Sequence, residues 1–325
     1  MWSVTSIKYS ILWAWLLGAL FCASAQGAAH IEVVLVANEQ RPIHRELIQA
    51  VHDTLEQRGV VQVKISVRPV SYFKAQGMRA RAHWPDLIVT SGTAITERVS
   101  RHKVPVPVLS VLPRLSFDEI QRRVSNGTAL NEGDFSALYV DQPLARQFDL
   151  IRQALPRAHR VGVVLGPSSK QYERELRAIA EHRKLDLRVG HVTTEDKLIA
   201  GLDRVLMQSD VMLGIVDPLV FSRTSAQSVL LTAYRRRVPL IGISSAYVNA
   251  GALAAVYSTP AQIGRQLAEM IEQFSLNPAA KLPPPQYPKY FSVAVNYQAA
   301  EVLGLDIDDE DNLERRLSSR QEEKP

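Results

Sequence analysis

Residues 239–271 read PLIGISSAYVNAGALAAVYSTPAQIGRQLAEMI, and the fold turns on them. The first part, PLIGIS, is a short apolar run behind a proline, the pattern of a buried strand. A patch of small residues follows, in which Gly251 supplies a turn or a close backbone approach. ALAAVYS is a second short strand. Ser258 or Thr259 then caps a helix, with Pro260 in its first turn, where a missing N–H costs little. Ile263, Leu267 and Ile271, with Met270 beside them, give that helix an apolar face. Strand, turn, strand and capped helix, without an obvious catalytic side chain, is what a chain needs to cross between two α/β lobes.

The same rhythm runs upstream. Residues 30–37, HIEVVLVA, form a strand; Ile43, Leu47, Val51 and Leu55 space a helix that Gly59 stops. Strands follow at 61–67, 87–90 and, interrupted by prolines, 104–112, with a weakly patterned helical stretch at 71–81. Residues 118–132 are polar and loop-like, 135–140 a short strand and 143–155 a helix. The alternation then restarts, with strands at 160–165, 185–192, 211–216 and 239–243 and helices at 172–182, 196–206 and 225–235. Two consecutive βα series predict two similar lobes, each a parallel sheet with helices on both faces. Beyond 271, Pro283-Pro284-Pro285 is stiff and extended, 291–295 a strand and 297–303 a short helix. Residues 306–325 are charge-rich and read as a flexible tail, with a frayed helix at 312–317.

At 325 residues, 46% hydrophobic and 22% charged, the chain has the length of two globular domains. In the first 25 residues Lys8 is the sole charge, an apolar run spans 11–21, and Ala23-Ser24-Ala25 fits a small-x-small cleavage site. This predicts a secretory signal peptide, a mature start at Gln26 (or Ala28 from a second site) and a soluble periplasmic protein. The lone cysteine, Cys22, lies in that leader behind the bulky Phe21, which disfavours a lipid anchor there and leaves the mature chain without disulfides. Removing Lys8 takes the formal charge from +5 to +4, a mild excess. Arg235-Arg236-Arg237 reads as a solvated helix end, and no basic stripe with interleaved aromatics predicts a nucleic-acid partner.

Ligands of open parallel sheets bind beyond the carboxyl ends of the strands. That rule selects the loops at 38–41, 91–94, 166–169, 217–221 and 244–247. The candidate binding residues are Asn38, Ser91, Gly92, Thr93, Ser168, Ser169, Asp217, Phe221, Ser244 and Tyr247. Ser91-Gly92-Thr93 at a helix start either exposes backbone N–H groups to an anion or is a plain N-cap, and Ser168-Ser169 poses the same choice. Asp217 either holds an ammonium group or caps the next turn. No G-x-S-x-G, H-E-x-x-H or P-loop is present. The eight histidines are scattered, without metal-ligand spacing. They read as surface or satisfied side chains, and no catalytic residue, metal or cofactor is expected.

Four pieces carry a likeness: TSGTA at 90–94, RVGVVLGPSS at 160–169, GALAAVYSTPAQIGRQLAEM at 251–270 and VAVNYQAAEVLGL at 293–305. Over residues 31–305 the chain resembles the ABC-transporter substrate-binding protein family of periplasmic binding proteins, the type I fold group that includes aromatic amino-acid binders. The resemblance implies an α/β protein of two Rossmann-like lobes, with three hinge crossings near 139–143, 257–259 and 282–287. The lobes would comprise 30–140 with 259–282, and 141–258 with 283–305. It implies a small ligand, an amino acid or similar solute, held in the cleft by the loops matching Ser91 to Thr93, Ser168-Ser169 and Asp217. The implied partner of this monomer is an inner-membrane ABC permease; the alternatives are a sensor feeding a histidine kinase or other receptor, and a periplasmic enzyme on the same fold. Two departures bear on the ligand. Asp217-Pro218 stands where the aromatic amino-acid binders carry an Asp-Asn-type pair, and Leu112-Pro113-Arg114-Leu115 where Asp-Pro is common. Tryptophan and tyrosine therefore do not carry over.

Overall fold

The computed structural model describes residues 30–73, 84–102, 104–125, 134–222, 224–278 and 281–322. The leader and both cleavage sites lie outside the described residues. So does most of the helical stretch expected at 71–81, of which a 3-10 turn, Val70–Phe73, is described.

Five strands build the first sheet: β1 (Ile31–Val36), β2 (Val63–Arg68), β3 (Leu87–Ser91), β4 (Val108–Leu112) and β5 (Phe135–Tyr139). All pair in parallel, in the order β2-β1-β3-β4-β5. Every residue of β3 and β4 is buried, because helices cover both faces; this is why these strands read as continuous apolar runs. The edge strand β2 stays partly exposed and carries Lys64 and Arg68, charges that discourage edge pairing. The helices between are α1 (Pro42–Gln57), α2 (Thr93–Ser100) and α3 (Arg114–Ser125). Helix α3 occupies the start of the stretch expected to be a loop. Phe117, Ile120 and Val124, at helical spacing, are buried by it.

The second sheet has the order β11-β10-β9-β8-β6-β7. Its elements are α4 (Leu144–Ala154), β6 (Arg160–Leu165), α5 (Glu173–His182), β7 (Asp186–His191), α6 (Leu198–Leu206), β8 (Val211–Leu213) and α7 (Ala226–Arg235), followed by β9 (Leu240–Ile241), α8 (Ser245–Asn249) and β10 (Ala254–Tyr257). The chain then forms α9 (Pro260–Leu276), β11 (Ser292–Val295), α10 (Tyr297–Leu303) and α11 (Glu310–Glu322). Only β11 runs antiparallel to its neighbour among the described strands. In the 239–271 stretch β9 is shorter than expected, and the small-residue patch is the helix α8, closed by Gly251 at φ 120°. Thr259, not Ser258, caps α9. Its hydroxyl accepts from Gln262 N at 3.1 Å while Gln262 Oε1 accepts from Thr259 N at 2.9 Å, a complete capping box.

Helix α9 returns to the first lobe and packs on α1 at close range. A Cβ on Gly264 would stand 2.5 Å from the Leu47 carbonyl oxygen, so the two backbones approach where only glycine fits. The chain thus passes between lobes after β5, after β10 and after α9. The third passage lies slightly later than expected. Gln286 still pairs beside β5, donating its N–H to Ala137 O and accepting from Tyr139 N, both at 2.8 Å. Side chains tie the three passages together. Gln142 Nε2 donates to Ser258 Oγ at 2.8 Å, and Ser258 Oγ donates to Tyr290 O at 2.6 Å. Buried Arg146 donates to Gln142 Oε1 and to Pro288 O, and its guanidinium lies 4.3 Å from the Phe291 ring centre. Burial pulls its pKa down to about 10.

Where a flexible tail is expected, α11 docks instead. Leu313 and Leu317 are buried in the second lobe's core beside Leu150 and Val293. Glu314 accepts from Val293 N at 2.6 Å and Glu310 from Val295 N at 3.3 Å, so α11 satisfies outward donors of the edge strand β11. No helix among the described residues is long and apolar enough to cross a membrane. Leu313→Ala is expected to lower stability by about 2–5 kcal/mol in urea unfolding, the cost of a large-to-small core change. A flexible tail would show no loss.

Candidate functional site

A buried hydroxyl network sets the β3–α2 turn. Thr90 Oγ1 lies 2.8 Å from both Ser110 Oγ and Thr96 Oγ1, and Thr96 Oγ1 donates to Gly92 O at 3.0 Å. Gly92 holds φ 101°, a value that L side chains rarely adopt, and as N-cap it has no side chain with which to cap α2. Thr93 does not cap either, since its hydroxyl donates to Ser116 Oγ at 3.0 Å. The amides of Thr93, Ala94 and Ile95 therefore find no acceptor among the described residues. They open onto a cavity of about 560 Å³ that Asn38, Arg41, His44, Ser71, Ser91 and Gly92 help to line. Asn38 is exposed there, its Oδ1 accepting from Gln40 N at 3.1 Å.

A smaller cavity of about 180 Å³ adjoins the first and shares His44, Ser91 and Gly92 with it. Ile43, Leu47, Val140 and Ile263 make its wall apolar. His44 is 8% exposed, and its buried Nδ1 has no hydrogen-bond partner among the described residues. Burial, with the Arg41 guanidinium second, holds its imidazole below the usual histidine range. In sequence it is one scattered histidine among eight; only the fold sets it against Gly92.

In the second lobe the expected residues divide into two groups. Asp217 is 1% exposed, and its carboxylate accepts from Ser169 N at 3.0 Å, Leu219 N at 2.8 Å and Val220 N at 3.2 Å. It caps its own turn and pins it to the loop after β6, which takes its oxygens away from the expected ammonium ligand. A Cβ on Gly166 would stand 2.2 Å from Asp217 Oδ1, so the lock has no spare room. Ser169 is fully buried, its Oγ accepting from Gly166 N at 3.0 Å. Phe221 is buried with its ring 5.7 Å from that of Tyr247. These three hold the loops in shape rather than face the cleft. Ser168, Ser244 and Tyr247 remain half-buried at the strand ends, and the Ser244 side chain caps nothing in α8.

A polar bridge joins the lobes. Arg114 Nη1 donates to Glu175 Oε2 at 2.9 Å and to Tyr287 Oη at 2.7 Å, and the guanidinium lies 4.7 Å from the Tyr172 ring centre. Tyr172 Oη in turn donates to Asp118 Oδ2 at 2.9 Å. Arg114 N donates to Asp141 Oδ1 at 2.7 Å at the first passage. Burial pushes the Asp141 carboxyl up to about 6, against the pull of the Arg114 N–H and charge. Arg114 lies in the segment that departs from the Asp-Pro pattern; that departure was the one sequence signal for the bridge.

Two outcomes follow from this geometry. Asp217→Ala is expected to lower stability by about 1.5–3 kcal/mol in urea unfolding, the scale of hydrogen bonds to a charged group. A variant of unchanged stability would mean that the lock holds nothing. For Asp141 the native state binds the proton more tightly than the unfolded chain, whose carboxyl keeps the ordinary 3.8. Its favourable contribution is therefore full below about pH 4 and is lost as the pH rises through about 6. Asp141→Asn should gain stability on the parent by about 1–3 kcal/mol between about pH 4.5 and about pH 7. A difference independent of pH would refute the shift.

Comparison with known proteins agrees with this architecture. Similar solved structures include an ABC domain from Streptococcus pneumoniae in complex with L-Trp, 18% identical with a TM-score of 0.58, covering 86% of this chain and 97% of that one. A conserved domain protein from Vibrio cholerae is 19% identical with a TM-score of 0.57, over 89% and 98% of the two chains. The ligand-free, open form of a substrate-binding protein with adhesive properties from Clostridium difficile is 17% identical with a TM-score of 0.64, over 87% and 97%. No curated protein sequence gives a significant match. The model of the family described as ABC transporter substrate binding protein matches residues 46–315. Two mostly parallel sheets linked by three passages, with that match over most of the chain, make this protein a member of the ABC transporter substrate-binding protein family with the type I periplasmic binding protein fold.

Proposed function

We propose that the protein captures a small polar solute between its lobes and delivers it to an ABC permease in the inner membrane. The observation that carries this is the uncapped start of α2, whose free amides open onto the 560 Å³ cavity at the carboxyl ends of the first sheet's strands. Asn38, Ser91, Gly92 and Thr93 contribute from the first lobe, and Ser168, Ser244 and Tyr247 from the second. Each lobe supplies part of the site, so the solute favours the closed state, in which its contacts are complete. The 1–25 leader directs export to the periplasm, where the protein works as a monomer. Family membership supports small-molecule binding and a link to ABC transport.

A thermal-shift screen of the mature protein tests this, with amino acids, small carboxylic acids, nucleosides and sugars as probes. L-Trp belongs in it because the Streptococcus pneumoniae protein binds it. A true solute at 100 times its dissociation constant should stabilise the fold by about 2.7 kcal/mol. Turnover of the bound solute would replace the binding function with an enzymatic one.

A further inference from the structure

We propose that the base of the second lobe, the edge of its sheet opposite the cleft, is a docking surface for an anionic phospholipid bilayer. Strands β9, β8, β6 and β7 are neighbours and run parallel, so their amino ends share one edge. The helices that precede them, α7, α6, α4 and α5, all end there. Arg235 and Arg237 stand before β9, Arg204 before β8, Arg157 before β6 and Lys184 before β7. All five are exposed, and none of their side chains has a hydrogen-bond or ion-pair partner among the described residues.

Most acids of this edge are already paired. Asp203 Oδ1 accepts from Arg236 Nε at 2.8 Å, Asp210 Oδ1 from Arg160 Nε at 3.0 Å, and Asp186 from Arg188. In the last helical turns and the loops that enter these four strands, Glu181 is the exposed acid left without a partner among the described residues. Asp306 joins it from the exit of α10. The five free cations outnumber these two acids, and the edge is positive. At the matching edge of the first lobe the cations are paired, Arg58 with Glu272 and Arg101 with Glu97.

The backbone shows that the charge is not a by-product of helix endings. Lys184 and Arg237 hold φ 55° and 54°, and they alone, glycines aside, have positive φ among the described residues. Each follows the C-cap of its helix, the position that Gly59 and Gly251 hold after α1 and α8. Glycine adopts this left-handed conformation freely, and a side chain does not. The helix dipole favours a cation near a C-terminus, but Arg183 and Arg236 already stand at these two C-caps. Local geometry asks for glycine at both places and the chain puts a cation at both, which a partner outside the helices explains.

Two apolar tips and a cavity accompany the charges. Met207 and Tyr234 are 63% and 60% exposed, at the ends of α6 and α7 that the Arg236–Asp203 pair joins. Arg157 and Arg237 line one cavity of about 480 Å³, together with Leu155, Pro239 and Leu305. A bilayer of anionic lipid offers phosphates to the guanidiniums and its acyl boundary to the methionine and tyrosine tips. A nucleic-acid backbone would meet the charges and leave Met207 uncovered. The family's link to ABC transport puts a membrane within reach. Docking by the amino ends of the strands leaves their carboxyl ends, and with them the cleft, open to solute.

Flotation of the mature protein with vesicles tests the proposal. Mixed phosphatidylglycerol–phosphatidylcholine vesicles should bind it at low salt and release it at high salt, and pure phosphatidylcholine vesicles should bind at least tenfold more weakly. Each basic residue beside an anionic leaflet is worth roughly fivefold in binding. Lys184→Gly with Arg237→Gly, changes that suit the backbone, should therefore weaken binding at least tenfold while the circular dichroism spectrum stays the same. Arg98→Gln with Arg122→Gln removes the same charge from the first lobe and should bind as the parent does. Met207→Ser with Tyr234→Ser should weaken the binding that survives added salt. Equal binding to both kinds of vesicle, no binding to the mixed vesicles at low salt, or an equal loss in the first-lobe and second-lobe charge variants overturns the proposal. Binding to duplex DNA without binding to the mixed vesicles overturns it as well. The comparison of vesicles on the parent protein needs no variant, so a misfolded variant leaves the test intact. Failure here leaves the solute-binding function standing, since no residue of the cleft takes part.

Discussion

The structure depends on one polar knot at the hinge. Gln142, Ser258 and Tyr290 belong to three passages that are distant in sequence, and two hydrogen bonds run through the Ser258 hydroxyl to join them. Buried Arg146 adds a second link from the first passage to the third, through Gln142 and Pro288. Gln266 on α9 holds the third passage as well, accepting from Lys289 N at 2.8 Å and donating to Tyr287 O at 3.1 Å. Buried polar groups are mostly paired, and here the pairs of Gln142, Arg146 Nη1 and Gln266 lie across the passages. The three passages then have few soft dihedrals between them.

The two halves of the cleft are built by different means. In the first lobe the candidate site is a set of needs unmet among the described residues: uncapped amides at α2, an unpaired ring nitrogen on His44 and open apolar side chains at Ile43 and Val140. In the second lobe the needs are already met. Asp217 uses both carboxylate oxygens on backbone amides, and Ser169 and Phe221 are packed away. A loop held by a carboxylate keeps its shape when the cleft is empty, so Ser168, Ser244 and Tyr247 sit on a fixed scaffold. Beside the cleft, Arg114 reaches from α3 to Glu175 on α5 and packs on Tyr172 and Tyr287. That bridge is a direct polar contact between the two lobes.

Much of this was legible in the residues. The alternation of apolar runs with helical spacing gave the two parallel sheets, and Ser258-Thr259 with Pro260 marked the start of α9. Three segments differ in secondary structure from their local pattern. Helix α3 was hidden because only Phe117, Ile120 and Val124 are apolar in a charged stretch. Helix α11 was hidden because Leu313 and Leu317 are a thin stripe, and its docking depends on Glu310 and Glu314 meeting the β11 edge, a partner remote from local pattern. The patch after β9 looked like a turn because its small residues fit either a turn or the short helix they form.

The sequence alone determined the class of fold, the order of the strands along the chain and hence which loops lie at their carboxyl ends, because apolar periodicity records how each segment is buried. The tertiary structure decided which of those loop side chains are already bonded within the protein. Asp217 and Thr93 both sit in polar turns, and both have oxygens that could meet a ligand. One is consumed by Ser169, Leu219 and Val220, the other by Ser116. His44 is the converse, an inconspicuous residue one turn into α1 that becomes prominent only when β3 brings Gly92 beside it. Side-chain availability is a matter of which neighbours arrive in space, and those neighbours are tens of residues away along the chain.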